Sequence, residues 1–366
     1  MDAYPPDGNG RAGAAAGCLK KVLVATDAWY PQVNGVVRTL TSVARVAQSL
    51  GTQIVFVTPQ EFHTVPLPTY PDIRLALPPP RAIAGRIHAE RPDFIHVATE
   101  GPIGHMVSRY CRRHGLAFTT SFHTRFPDYV SARAPIPRTW VWAWLRRFHR
   151  RGAGVMAATP RLASELLERG FHNVMLWPRG VDADLFRPAR SGDLALRRPI
   201  FLTVGRVALE KNIEAFLSLD LPGTKVVVGD GPARAELERR FPDAVFLGAK
   251  QGEELARIYA AADVFVFPSK TDTFGLVLLE ALASGVPVAA FPVAAPRDVI
   301  GDAAIGALDW DLGRACLRAL TLSRQACRSF ALGMTWEASA RCFLSHIARF
   351  LQAGDKAVIK PTSNGR

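Results

Sequence analysis

Two carboxylates stand eight positions apart in the stretch SKTDTFGLVLLEALASGVPVAA, residues 269–290. Asp272 lies in a Thr-Asp-Thr-Phe-Gly loop, and Glu280 falls on the second turn of the Leu- and Ala-rich helix expected after it. Either Asp272 caps that helix and Glu280 is a paired core acid, or both acids face a ligand. Upstream, VGRVALEKN places Arg206 and Lys211 in a loop between an apolar strand and a helix. Two cations beside a helix N-terminus suit a diphosphate, through charge and through unpaired backbone N–H groups. A surface Arg and Lys closing a loop is the plainer alternative. His123, in TSFHTRFPDYV, sits just past a strand end, where packing and ligand contact are both open to a histidine.

Other motifs carry less. VVVGDGPARAELE has Gly229 and Gly231 where a strand turns into a helix, with Pro232 at the expected first helical position. Gly-x-Gly by itself argues for a tight turn. No Gly-x-x-x-x-Gly-Lys-Ser/Thr loop occurs, which disfavours a P-loop enzyme. Asp309-x-Asp311 is read as chance, because it stands apart from the strand-end loops with a Trp between its acids.

The elements that must position these residues alternate strand and helix. KKVLVATDAWYPQVNGVVRTL opens with a strand at 22–25, a loop to Gly35 holding Pro31 and Asn34-Gly35, then an amphipathic helix to Leu50. TQIVFVTP, PDFIHVATEGPIGHM and LAFTTSF continue the series, and a second series begins near residue 199. Such alternation predicts an α/β fold with parallel, doubly wound sheets. Two Rossmann-like domains facing each other across a cleft are expected, with the chemistry in loops at the carboxyl ends of strands. The expected division is a disordered leader (1–19), an N-terminal domain (20–185) and a C-terminal domain (186–333). An amphipathic helix (334–353) and a disordered tail (354–366) would follow.

Composition sets the outer bounds. The chain has 366 residues, 48% hydrophobic and 21% charged, as expected of a globular protein. It contains no run of about 18 apolar residues, and its Gly-, Pro- and Ala-rich start lacks the apolar segment of a signal peptide. Five scattered cysteines without Cys-x-x-Cys spacing suit a reducing cytoplasm and argue against a zinc site. A net charge of +13 implies an anionic partner: nucleic acid, an acidic membrane or a phosphorylated substrate. No helix-turn-helix, zinc-finger or RNA-recognition signature supports the first.

The stretch PRTWVWAWLRRFHRRGAG concentrates that charge. On a helical projection Trp140, Val141, Trp144, Leu145 and Phe148 share one face, and Arg146, Arg147, Arg150 and Arg151 lie opposite. Trp142 falls near the border. From Tyr129 to Ser164 there are seven arginines and no acid. The helix either packs on its domain with solvated arginines or touches anionic lipid, with Trp at the headgroup level.

Six motifs occur in order: YPQVNGVVRTL, FHTRFPDY, RGVDADLFRP, VGRVALEKN, GDGPARAELE and PSKTDTFGLVLLEALASGVPVAA. Together they resemble the retaining glycosyltransferases of family 4, over nearly the whole chain from about residue 20 to residue 350. The resemblance implies the GT-B fold, with the C-terminal helix crossing back onto the N-terminal domain. It implies a nucleotide-sugar donor (a UDP-sugar or GDP-mannose), no metal and no other cofactor. The family's Glu-x7-Glu pattern falls on Asp272 and Glu280. By carry-over, Glu280 would accept hydrogen bonds from the nucleotide ribose and Asp272 would face the donor sugar's hydroxyls. Phe274, Gly275 and Leu276 would offer backbone N–H groups, and the Gly35 loop would close under the phosphates. Arg206 and Lys211 would neutralise the leaving diphosphate, and His123 would contact the sugar near its reacting carbon. Asp272 is one methylene shorter than the usual Glu, which leaves the donor sugar open.

The look of lipid-directed members implies a membrane lipid acceptor, diacylglycerol first, at the inner face of the cytoplasmic membrane. Trp140, Trp142, Trp144, Arg146, Arg147 and Arg150 are the expected acceptor or membrane contacts. A mannosyl- or glucosyltransferase acting on a polysaccharide or phosphoinositide is the enzymatic alternative. A basic non-catalytic or nucleic-acid-binding protein is the alternative of another class.

Overall fold

The structure is a computed structural model that describes residues 19–32, 34–67, 70–124, 136–188 and 194–353. The expected tail, the leader up to residue 18 and part of FHTRFPDY lie outside the described residues.

The N-terminal half runs β1 (Lys21–Ala25), α1 (Gly35–Ser49), β2 (Gln53–Val57), β3 (Thr64–Leu67) and β4 (Tyr70–Ala76). It continues α2 (Pro80–Glu90), β5 (Phe94–Val97), α3 (Pro102–Arg113), β6 (Phe118–Phe122), α4 (Arg138–His149), β7 (Gly154–Ala157), α5 (Pro160–Glu168) and β8 (Val174–Leu176). Six of these strands form a parallel sheet in the order β2-β1-β5-β6-β7-β8. The strands are buried and largely apolar, as in Val22 to Ala25, and even the Thr119, Thr120 and Ser121 of β6 are buried, because helices cover both faces. An antiparallel hairpin, β3 with β4, stands outside the sheet, an element that the alternation of strand and helix does not predict.

The C-terminal half runs β9 (Ile200–Val204), α6 (Ile213–Leu217), β10 (Thr224–Val228), α7 (Arg234–Arg240), β11 (Val245–Phe246), α8 (Gly252–Ala261) and β12 (Val264–Phe267). Then come α9 (Leu276–Ala283), β13 (Val288–Ala290), α10 (Ala294–Ile300), β14 (Gly306–Leu308), α11 (Leu312–Ala319), α12 (Arg324–Leu332) and α13 (Trp336–Ala353). Its parallel sheet has the order β11-β10-β9-β12-β13-β14, the doubly wound Rossmann arrangement. Helix α7 begins at Arg234; Pro232 lies in the turn before it.

Helix α13 returns to the first domain, as the resemblance implied. Phe343, Leu344 and Ile347 join Leu40 and Val43 of α1 over Val22 and Val24. The Trp177 indole N–H donates to the Ser339 carbonyl at 3.2 Å, which ties the crossover segment to that helix.

Helix α4 corrects the sequence projection. Its buried stripe is Val141, Trp142, Leu145, Phe148 and His149, while Trp140 and Trp144 are 71% and 42% exposed. Trp142 is therefore a core residue: it stacks on Phe122 at 5.9 Å, and the Arg169 guanidinium covers its ring at 4.1 Å. Arg146 is half-buried and donates to the Arg169 carbonyl at 3.0 Å. Only Trp140, Trp144, Arg147 and Arg150 of the expected membrane contacts are exposed. Among the described residues no helix is long and apolar enough to cross a membrane.

Candidate active site

The strand order of each sheet reverses at one point, between β1 and β5 in the first domain and between β9 and β12 in the second. Ligands bind outside the carboxyl ends of strands at such points. Arg206 and Lys211 follow β9, Asp272 follows β12, and Gly35 opens α1 after β1. The structure thus brings together the donor-side residues that the sequence singled out.

Two loops of the second domain are stitched to each other. Lys211 Nζ meets Asp272 Oδ1 at 2.6 Å, and Asn212 Nδ2 donates to the Pro268 carbonyl at 3.1 Å. Asp272 keeps its second oxygen, Oδ2, buried and without a partner among the described residues. An orphaned buried carboxylate oxygen calls for a donor, which a sugar hydroxyl can supply. The loop that carries Arg206 owes its position to Gly229 and Gly231. A Cβ on Gly229 would lie 1.8 Å from the Gly205 carbonyl oxygen, and one on Gly231 would lie 2.4 Å from that of Val207. With both glycines present, Val207 N–H reaches the Asp230 carbonyl at 2.9 Å and the two loops close-pack. The glycine pair is therefore a backbone-packing device for the cation loop.

Helix α9 starts at Gly275, whose φ of 79° is left-handed and suited to glycine. The N–H groups of Phe274, Gly275 and Leu276 donate to no protein acceptor among the described residues. Across the cleft α1 starts at Gly35, where a Cβ would lie 3.8 Å from Leu276 of α9. Asn34 caps α1, its Oδ1 accepting from Val36 and Val37 N–H at 3.0 Å each. Two positive helix ends thus lie close to one another, with Asp272, paired to Lys211, in the loop before α9, an arrangement that favours a polyanion.

Glu280 lies behind this rim, 5% exposed. One oxygen pairs with Arg38 of α1, and the other accepts from the Tyr259 hydroxyl at 3.0 Å. Burial raises its pKa, against the opposing pull of Arg38 and Tyr259. Neither partner was singled out in the sequence, although one signal existed. A cation in the first turn of a helix opposes the macrodipole, so Arg38 needs a carboxylate from elsewhere.

His123 is held on the first-domain side. Its carbonyl accepts from the Thr273 hydroxyl at 2.7 Å, a second contact between the domains. The buried Arg179 packs over Trp177 at 4.3 Å and reaches His123 Nδ1 at 3.4 Å. An Arg donor at Nδ1 leaves the ring proton on Nε2, which is buried without a partner among the described residues. Burial, then Arg179, keeps the imidazole pKa well below its ordinary value, so the ring is neutral.

The first domain holds another acid, one that no sequence motif marks. Asp27, just past β1, accepts from Thr99 Oγ1 at 2.8 Å, from Ile103 N–H at 2.8 Å and from Gly104 N–H at 3.3 Å. Burial raises its carboxyl to about 6. Asp311 caps α11 through Arg314 N–H, and Asp309 pairs with Arg314, so that pair is local structure. Among the described residues no group of three or more His, Cys, Asp or Glu is placed to hold a metal ion.

Comparison with known proteins shows the family and the fold. Residues 33–185 match Glycosyltransferase Family 4, and residues 198–319 match Glycosyl transferases group 1. A GDP-mannose-dependent alpha-mannosyltransferase of Mycobacterium tuberculosis is 32% identical over 310 residues, covering 77% of this chain and 82% of the relative. An alpha-monoglucosyldiacylglycerol synthase of Streptococcus pneumoniae is 26% identical over 369 residues, covering 89% and 84%. Sucrose-phosphate synthase from Thermosynechococcus elongatus superimposes with a TM-score of 0.74 at 20% identity, over 92% of this chain and all of that one, which shows the shared GT-B fold. The chain belongs to glycosyltransferase family 4 and is a hexosyltransferase that draws its sugar from a nucleotide-sugar donor.

Proposed function

We propose that the protein moves a hexose, with retention, from a nucleotide-diphosphate sugar to a membrane lipid, diacylglycerol first, to give an α-glycosyl lipid. The observation that carries the donor half is the cleft in which the N-termini of α1 and α9 meet beside Lys211 and its partner Asp272. The diphosphate lies against those helix ends, with Arg206 and Lys211 taking up charge as it leaves. Asp272 Oδ2 and His123 Nε2, both buried without a partner among the described residues, bond the sugar. Glu280 accepts from the ribose, which requires one of its oxygens to be shared with Arg38 or released by it. The acceptor hydroxyl attacks on the face that the diphosphate leaves, and a phosphate oxygen of the leaving group takes the proton. No step calls on a metal.

Support for a lipid acceptor comes from the exposed Trp140 and Trp144 beside Arg147 and Arg150, and from the relative named as a glucosyldiacylglycerol synthase. A membrane-surface protein at the cytoplasmic face follows from that acceptor. Mannosyl transfer from GDP-mannose is the second reading, favoured by the mannosyltransferase relative. Nucleotide release tests both. Purified protein is given UDP-glucose, UDP-galactose, UDP-glucuronate or GDP-mannose, with and without vesicles holding diacylglycerol and an anionic lipid. Release with one donor that depends on diacylglycerol is expected. Release that ignores the lipid removes the acceptor, and none with any donor removes the donor assignment.

A further inference from the structure

The arginines of α4 are half of a larger cluster. Between α3 and α4 lies a cavity of about 450 Å³ lined by His105, Met106, Arg109, Arg112, Arg113 and Arg151. His105, Arg109 and Arg112 recur at helical spacing on one face of α3, and Arg151 follows the last turn of α4. Ring contacts join the two helices: His105 stacks on Phe148 at 4.8 Å and meets Trp144 at 5.4 Å. Among the described residues no carboxylate lines the cavity. Among the described residues none of its four arginines makes an ion pair. Their mutual repulsion registers on Arg151, whose pKa is lowered by burial and then by Arg112 and Arg147. His105 is lowered by burial and Arg151, and its Nδ1 is buried without a partner.

Helix ends account for part of this charge. Both α3 and α4 finish at the cavity, and a helix C-terminus carries about −0.5 charge. Two such ends offset about one of the four positive charges; Arg109, Arg112 and Arg113 are exposed and solvated, Arg151 is half-buried, and the four guanidinium groups converge on one depression open to an incoming anion. Guanidinium forks match phosphate oxygens in pairs. The neighbouring surface selects the source of that phosphate. Trp140 and Trp144 stand out from α4, and a free anion would leave both indoles in water, whereas a bilayer takes an indole at the headgroup level beside a guanidinium.

We propose that this cavity seats the phosphate of an anionic phospholipid headgroup, with Trp140 and Trp144 entering the bilayer interface beside it. The proposal rests on the lipid-acceptor reading above and adds the docking site. Helix α3 begins at the cleft, where Ile103 N–H binds Asp27, and ends at the cavity. Its 12 residues span roughly 18 Å, so a docked enzyme holds the cleft edge within a helix length of the lipid.

Co-sedimentation with vesicles of phosphatidylcholine, alone or mixed equally with phosphatidylglycerol, tests it. Arg109→Gln with Arg112→Gln is expected to lower phosphatidylglycerol-dependent binding on the order of tenfold or more. Trp140→Ser with Trp144→Ser is expected to lower binding to the same vesicles. Arg239→Gln with Arg257→Gln removes equal charge from exposed sites of the second domain and is expected to bind as wild type. Glycerol 1-phosphate is expected to compete better than chloride at matched ionic strength. Equal loss in the second-domain variant would reduce the effect to net charge and overturn the site. So would a cavity variant that binds vesicles normally, whether or not it has lost glycerol 1-phosphate. An oligonucleotide that binds more tightly than the mixed vesicles, through the same arginines, would assign the cavity to nucleic acid instead. Nucleotide release is also measured on every variant with diacylglycerol dispersed in neutral detergent, where the acceptor is present and no anionic bilayer is needed for docking. Release at the wild-type rate with lost sedimentation supports docking, whereas absent release in the wild type sinks the enzymatic reading and leaves the sedimentation result standing.

Discussion

Arg38, on the first turn of α1, reaches across the cleft to Glu280 on α9, 242 residues away in the chain, and Tyr259 holds the carboxylate's other oxygen at 3.0 Å. The pair joins the two domains at the place proposed for the nucleotide ribose. Glu280 is nearly enclosed, its side chain 6% exposed, whereas that of Arg38 is 33% exposed. The attraction is therefore partly screened, and the acid bears most of the desolvation.

Arg38→Met should strand the buried Glu280 and destabilise the protein by about 1–3 kcal/mol. Glu280→Gln with Arg38→Met should recover part of that loss, because the amide needs no counter-charge. A double-mutant cycle on thermal unfolding measures the coupling. Additive losses would mean that the pair contributes nothing across the interface.

Lys211→Ala should fold normally and lose turnover by about 10²- to 10³-fold, the usual effect of removing one donor to developing charge in a closed site. Asp272→Glu should keep turnover but change the ratio of kcat/KM among donors, since it moves the carboxylate outward by one methylene. Lys211 and Asp272 pair at 2.6 Å, so each variant is read by its own observable, turnover for the first and donor ratio for the second. Wild-type turnover in Lys211→Ala would remove the diphosphate role, and unchanged donor ratios in Asp272→Glu would remove the sugar contact.

Much of this site was legible because a parallel sheet places its chemistry after strands, and residue types mark those loops. Arg206, Lys211 and Asp272 stand in such loops, and the structure gathers their elements at one reversal of strand order. Arg38 and Tyr259 escaped because an ion pair between two domains leaves no periodic trace along the chain. Trp142 was misplaced for a related reason. Hydrophobicity alone could not rank three tryptophans on one helix, whereas the packing partners Phe122 and Arg169 select the middle one for burial. The β3–β4 hairpin carried a proline in each strand, at Pro66 and Pro71, which weakened its strand pattern.

Gly229→Ala should damage catalysis from a distance. Its φ of 141° disfavours a side chain, and the new Cβ would fall 1.8 Å from the Gly205 carbonyl oxygen. That oxygen is backbone and cannot swing aside, so the loop bearing Arg206 must shift. A stability loss of about 1–3 kcal/mol is expected, together with a fall in kcat that survives at temperatures where the variant is fully folded. A variant with wild-type kcat would show that the Arg206 loop tolerates displacement.

Acid stability should turn on His96. The ring is fully buried, its nitrogens bonded to the Thr119 and Ser121 hydroxyls at 2.9 and 2.8 Å, and burial lowers its pKa from 6.5 to about 3. With the folded value depressed, the stabilisation is complete above 6.5 and is lost as pH falls towards 3. At 1.36 kcal/mol per unit that amounts to roughly 5 kcal/mol at most. Asp27 works in the opposite sense over part of this range: raised from 3.8 to about 6, it contributes stability at low pH that is lost as pH rises through 6. His96→Gln keeps hydrogen-bonding capacity and removes the titration. Its acid limb between pH 6 and pH 4 should be shallower than wild type. His96 lies edge-on to Trp177 at 6.0 Å, so tryptophan fluorescence follows the transition. An unchanged slope in that window would exclude His96 as the group that acid must charge.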